Sequence, residues 1–420
     1  MAIAVPAIVT NITTPLLGLV DIAIVGHIGA ATYIGAIAVG ASVFNMLYWL
    51  FNFLRMGSSG LTAQAVGKKD VEERDRILWR ALAAALIPGL AIILLSPVLA
   101  DIIIPFMDAD PPTSALAERY FRITVAGAPA VLGVYAMSGW LLGCQDSAAA
   151  MWIAVTTNVV NILTSLVLVV GLGMKIEGVA VGTVTAQWAG LLAGAALIRR
   201  RQRPHMQPLR LIFKRGSLAP FFKVNTDIFL RTLCLVAVTV WFTRAGASMG
   251  TLILAANSLL MQLFMLFSYF MDGFAFAGEA LGGKAFGAGD RDTLRKVVNA
   301  LLRWGIYMSL AATVIYFIAG EEIMSLLTDD RKVTEVARDY LPWAVTIPLA
   351  GFMAFVYDGI FIGMTRTRLM LAAMAIAMIV FFAVYSLLQP CSGNHALWGA
   401  FCAYLLTRGI LQHMMMRRIR

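Results

Sequence analysis

Charged side chains lie inside stretches otherwise apolar enough for lipid: Asp21, Arg55, Asp227, Arg231, Asp272, Arg303 and Asp358. A charge near the middle of a membrane-spanning helix costs about 2.5–3.5 kcal/mol on insertion scales. A chain that carries this many must set them against one another or against a water-filled cavity. Carboxylates in such places bind a cation or carry a proton, and burial and neighbouring charge together set their protonation. In NTDIFLRTLCL, residues 225–235, Asp227 and Arg231 stand four apart on one helical face with the acid first, so they can partly neutralise one another. They are either a fixed ion pair that orients the span or a carboxylate tuned by a base for alternate binding and release of a cation. Asp272 and Asp358 fall in the same halves of their spans as Asp227, which makes the three acids with Arg231 a candidate cluster.

Asp21, within LGLVDIAIVG, has no base one turn away and is a candidate cation or proton site. Asn158 and Asn161 in TTNVVNILTS share a face, and Thr183, Thr185 and Gln187 lie in GTVTAQ. Their oxygens suit a hard monovalent cation or a hydrogen-bond network around a proton; the same residue types also hold membrane helices together. Pro6 and Pro15 remove backbone donors from the first span and predict a bend there. Methionine and aromatic residues crowd MQLFMLFSYFMDGFAF, 261–276, as either a lipid-facing stripe or an adaptable apolar pocket.

The elements that position these groups are membrane helices. Of 420 residues, 60% are hydrophobic and 13% charged, with a mean hydropathy of +0.81; a polytopic all-α membrane protein is expected. Apolar runs of spanning length fall near 4–25, 33–57, 78–100, 120–143, 150–173 and 178–198. Six more follow near 218–243, 251–279, 298–319, 339–363, 369–390 and 395–412. The net charge of +10 is gathered in short segments such as GKKDVEERDR, RRRQRPHMQPLRLIFKR and GKAFGAGDRDTLRK. Those are topology signals and not a nucleic-acid surface, and they place both termini on the cytoplasmic side. No cleavable leader is expected at MAIAVPAIVT. Four cysteines and four histidines have no metal-type spacing, so no metal and no cofactor is expected.

An internal repeat runs at an offset of 220: LTAQAVGKKD (61–70) lies over LGGKAFGAGD (281–290), and GWLLG (139–143) over GIFIG (359–363). Six spans per half make parallel repeats related by a pseudo-twofold axis along the membrane normal, with a site expected between them. The expected organisation is an N-lobe of spans 1–6 (1–198), a basic cytoplasmic linker (199–217) and a C-lobe of spans 7–12 (218–420).

VDIAIVG, SSGLTAQAVGKKD and its repeat AFAGEALGGKAFGAGD resemble the multidrug and toxic compound extrusion (MATE) family. NTDIFLRT, DGIFIGMTRTR and GNHALWGAFCAYLLTRG resemble its DinF branch. The resemblance implies a twelve-helix antiporter that exports organic, often cationic compounds in exchange for H⁺ or Na⁺. It implies an N-lobe cation site on Asp21, with Pro6 as the bending proline, Asn161 and Thr183 as site residues, and Tyr120 matching a tyrosine of the fourth span. Many relatives carry an acid four residues beyond that asparagine; here Ser165 stands in its place. With one carboxylate fewer in the N-lobe, weight shifts to Asp227, Arg231, Asp272 and Asp358.

The expected function is a secondary active exporter of small organic compounds in a bacterial inner membrane. It is driven by H⁺ in preference to Na⁺, works by alternating access, and acts as a monomer. The alternative is a flippase of lipid-linked or amphipathic metabolites with the same architecture. A membrane-embedded enzyme is not expected, because no nucleophile–base pair or phosphate-binding glycine loop is present.

Overall fold

The structure, a computed structural model, describes residues 1–13, 31–107, 110–206, 208, 210, 215–328 and 330–419. Every regular element among them is helical. The chain divides into two compact units, Met1–Phe221 and Phe222–Arg420. The first holds α1 (Ala4–Thr13), α2 (Ala31–Leu50), α3 (Phe53–Gly67), α4 (Val71–Phe106), α5 (Pro111–Thr124), α6 (Ala128–Gly143), α7 (Ser147–Leu166) and α8 (Lys175–Arg201). Then follow α9 (Arg215–Ser248), α10 (Thr251–Ala277), the short α11 (Gly283–Gly287), α12 (Arg291–Leu327), α13 (Arg331–Gly363), α14 (Thr367–Ser392) and α15 (Asn394–Ile419).

Ten helical segments among the described residues are long and apolar enough to cross a bilayer. To these add the first span, whose described part is α1, and the twelfth, α15. At 26 residues α15 is long enough to span, but buried Asn394, Arg408 and Gln412 lower its hydropathy. The arrangement is the expected all-α, twelve-span one. The helices overrun the apolar windows: α4 and α12 reach 36 and 37 residues, well beyond the roughly 20 a bilayer needs. Their charged first turns already belong to the helix. Asp70 and Asp290 cap them, each accepting from a backbone N–H three residues on at 2.9 Å and satisfying a donor the helix start leaves open. Each cap follows a left-handed residue, Lys69 (φ 59°) or Gly289 (φ 71°).

The repeat has a packing basis. A Cβ added to Gly139 would stand 2.1 Å from the Arg55 carbonyl oxygen, and one added to Gly143 2.6 Å from that of Ser59. In the C-lobe, Gly359 and Gly363 meet the carbonyls of Ala275 and Glu279 at 2.1 and 2.4 Å by the same construction. Both lobes therefore press two glycines, four apart, onto the backbone of a neighbouring span. Small residues at this spacing let membrane helices approach to backbone contact.

The segment that follows α8 is held by the rest of the first unit. The carboxylate of Asp75, fully buried, accepts from the Arg74 guanidinium at 2.7 Å and the His205 backbone N–H at 2.9 Å. Trp79 Nε1 donates to the His205 carbonyl at 3.2 Å. Arg201 reaches Asp146 at 2.6 Å, and Asp146 also caps α7 through the Ala149 N–H.

Candidate functional site

In the C-lobe, three helices converge on one carboxylate. Asp358 sits one and a half turns before the end of α13 and is 5% exposed. Its Oδ2 accepts from Arg231 Nη2 of α9 and from Arg408 Nη2 of α15, the latter at 2.6 Å; its Oδ1 accepts from Gln412 Nε2 at 2.6 Å. Arg408 and Gln412 lie one turn apart on α15 and so act from one face. The Arg408 guanidinium also lies over the Phe355 ring, 5.7 Å from its centroid. A charged group this far from water persists only when paired and hydrogen-bonded; Asp358 is both.

The expected pairing of Asp227 with Arg231 is corrected. Arg231 turns to Asp358 on another helix, and Asp227 Oδ2 accepts instead from the Thr367 hydroxyl at 2.8 Å. The reason is burial: Asp358 and Arg231 are both almost fully enclosed, where an uncompensated charge is most costly. Asp227 is only half-buried and has the first turn of α14 beside it, whose N-terminal dipole favours an anion. The structure brings Asp227, Arg231 and Asp358 into one neighbourhood; Asp272, half-buried on α10 beside Tyr269, supplies none of the bonds to Asp358. Arg303 also departs from expectation. It is exposed on α12 and donates to the Asn299 carbonyl at 3.4 Å, one turn toward the basic loop, as a long side chain near a membrane boundary does.

Sequence reasoning passed over Arg408, Gln412 and Thr367. Arg408 was legible in principle, as a base inside the last apolar run. The methionine and aromatic run 261–276 is split: Phe267, Met271 and Phe274 are buried, and Phe264 and Phe267 pack tilted or edge-on against Phe355, while Met265 and Leu266 face outward.

In the N-lobe, α7 and α8 join Asn161 to Thr183, with Asn161 Nδ2 donating to the threonine hydroxyl at 3.2 Å. Asn158 Nδ2 donates to the Thr13 carbonyl at 3.2 Å, which ties α7 to α1. Asn161 Oδ1 and Ser165 Oγ are buried without a hydrogen-bond partner among the described residues. Ser165 is pressed onto Gly182, whose added Cβ would stand 2.4 Å from the hydroxyl. Tyr120, buried on α5, packs edge-on against Phe44 of α2. Pro6 lies near the start of α1, and the carbonyl its missing N–H would have bonded, that of Ala2, accepts from Ser147 Oγ at 3.4 Å. Asp21 and Pro15 lie outside the described residues.

The MatE family model matches residues 6–167 and 228–388, one block in each lobe and nearly in the register of the repeat. DNA damage-inducible protein F of Escherichia coli is 38% identical over 99% of this chain and 91% of its own length. A probable multidrug resistance protein NorM of Rhizobium meliloti is 26% identical over 97% and 90%. A solved structure described as MATE in the bent conformation superposes with a TM-score of 0.88 at 19% identity, covering 99% of this chain and 93% of that one; at that identity the likeness speaks for the fold. Two matched blocks, the glycine contacts they share and a full-length relative of this identity together make the chain a member of the MATE family of membrane transporters, in the branch of DNA damage-inducible protein F.

Proposed function

We propose that the protein exports small amphipathic organic compounds, often cationic, in exchange for inward H⁺. In this reading the lobes 1–198 and 218–420, joined by the linker 199–217, alternate access across a bacterial plasma membrane with both termini in the cytoplasm. One observation carries the choice of coupling acid. Asp358 is saturated by two guanidiniums and an amide, whereas Asp227 is half-buried and, among the described residues, bonds a single hydroxyl. A carboxylate clamped by two cations is already compensated; one beside a neutral hydroxyl has no fixed counter-ion in its bond, which supports it as the exchangeable acid. Na⁺ would need a shell of several oxygens, and among the described residues Thr367 is the side chain that bonds Asp227. Family membership and the name of the NorM relative support organic compounds as the cargo. The flippase alternative has less support, because both buried arginines of the C-lobe are engaged by Asp358 and not open to a phosphate.

The test is proteoliposomes loaded with ethidium under an imposed pH gradient or, separately, an imposed Na⁺ gradient. Proton-driven exchange in the parent and a loss of at least about tenfold in Asp227→Asn are expected, as for removal of an essential proton-transfer group. Asp227→Asn driven by protons as well as the parent would sink the assignment.

A further inference from the structure

Arg231 sits between two carboxylates. It bonds Asp358 across helices, and Asp227 lies one turn before it on its own helix, within the reach that i and i+4 side chains share. Its Nε is buried and has no hydrogen-bond partner among the described residues, so the guanidinium holds a donor in reserve. Asp358 is supplied beyond its need. If Arg231 left, Oδ2 would keep Arg408 and Oδ1 would keep Gln412. Neither carboxylate oxygen would be orphaned, which removes the usual penalty for breaking a buried ion pair. The Arg408 guanidinium, 3% exposed and stacked on Phe355, stays on α15 in either case.

We propose that Arg231 is a mobile cation shared between Asp358 and Asp227, and that Arg408 and Gln412 are the positioning residues that let it move. The inference rests on Asp227 as the coupling acid. With Asp227 protonated, Arg231 stays on Asp358 and ties α9 to α13. When Asp227 gives up its proton, the new charge draws Arg231 back along α9, and the tie is released while Asp358 remains compensated. The ionisable groups around this exchange are Arg408 and Tyr404 of α15. By sequence position, Lys223 stands one turn before Asp227, and Arg366 and Arg368 flank Thr367. Tyr404 is engaged with the Met374 sulfur at 2.9 Å, and Arg366 lies over the Phe286 ring.

The proposal gives opposite signs to two charge-changing substitutions, and a shift in the neutral substitution Gln412→Leu separates it from fixed charges acting through space. Arg408→Gln leaves Asp358 dependent on Arg231, so Asp227 loses its access to a cation and the midpoint of the pH profile moves up. Asp358→Asn frees Arg231 for Asp227, and the midpoint moves down. Shifts of about half a unit or more are expected for a cation gained or lost at this range. Gln412→Leu should follow Arg408→Gln with a smaller shift, and Arg408→Lys should keep the parent profile. The measurement is the pH dependence of ethidium exchange by the full chain in proteoliposomes. Arg408→Gln and Asp358→Asn moving the same way, or neither moving, overturns the shared cation while leaving Asp227 as coupling acid intact. A parent without proton-driven exchange overturns the coupling reading itself, and the shared cation with it.

Discussion

At the scale of single residues, the C-lobe shows how many partners keep a carboxylate charged away from water. Asp358 has three side-chain donors from two helices. Removing the carboxylate strands two enclosed guanidiniums, so Asp358→Ala should lower stability by about 3–5 kcal/mol, read as a drop in the melting midpoint of detergent-purified protein. Asp358→Asn, which can still accept from Arg408 while Arg231 turns to Asp227, should lose much less. The acids themselves were legible in the sequence, because a carboxylate in an apolar run has few explanations. Their partners were not. Asp227 and Arg231 look like a pair at their spacing, but spacing on one helix says nothing of what a second helix offers, and Asp358 outbid Asp227 by being more deeply enclosed. Arg408 escaped notice for a related reason. It precedes a tail that ends in Arg417, Arg418 and Arg420, where bases are expected as topology signals, and nothing in one dimension separates a buried base from those.

At the scale of elements, the glycines of GWLLG and GIFIG are the feature the sequence announced most clearly. Their register was legible; their purpose, contact with a neighbouring backbone, needed the fold. A backbone carbonyl cannot step aside as a side chain can, so Gly359→Ala should sharply reduce folded yield. Gly171→Ala, where an added Cβ meets nothing within 4 Å, should be silent; size-exclusion profiles of the two variants make the comparison. The repeated caps carry a pH signature. The Thr293 hydroxyl and N–H beside Asp290 hold its carboxyl below the usual carboxylate range. A group depressed in the folded state contributes fully above its ordinary pKa, about 4, and loses that contribution as pH falls through the folded value. Amide protection at 291–294 should therefore fall on acidification in the parent. In Asp290→Ala it should already be low at neutral pH and change little further. Helix ends were the least legible part, since α4 and α12 begin in charged residues that hydropathy assigns to the loops.

At the scale of the whole molecule, the count of spans followed from apolar length, with α15 the instructive case. Its buried polar stripe reads as a weak membrane helix and functions as the wall of the C-lobe charge cluster. The proposed orientation, with both ends in the cytoplasm, rests on the basic loops. A fluorescent-protein fusion at the C-terminus should fluoresce and an alkaline phosphatase fusion there should be inactive; the reverse pattern would invert the topology. The clasp on His205 has a consequence for how the halves are strung together. Because Asp75 and Trp79 grip the backbone at that point, the chain stays fixed to the first unit past the end of α8, as far as His205. A cleavage site or tag spliced in between α8 and His205 would pry the chain from this anchorage, whereas one placed after His205 would leave the anchorage whole.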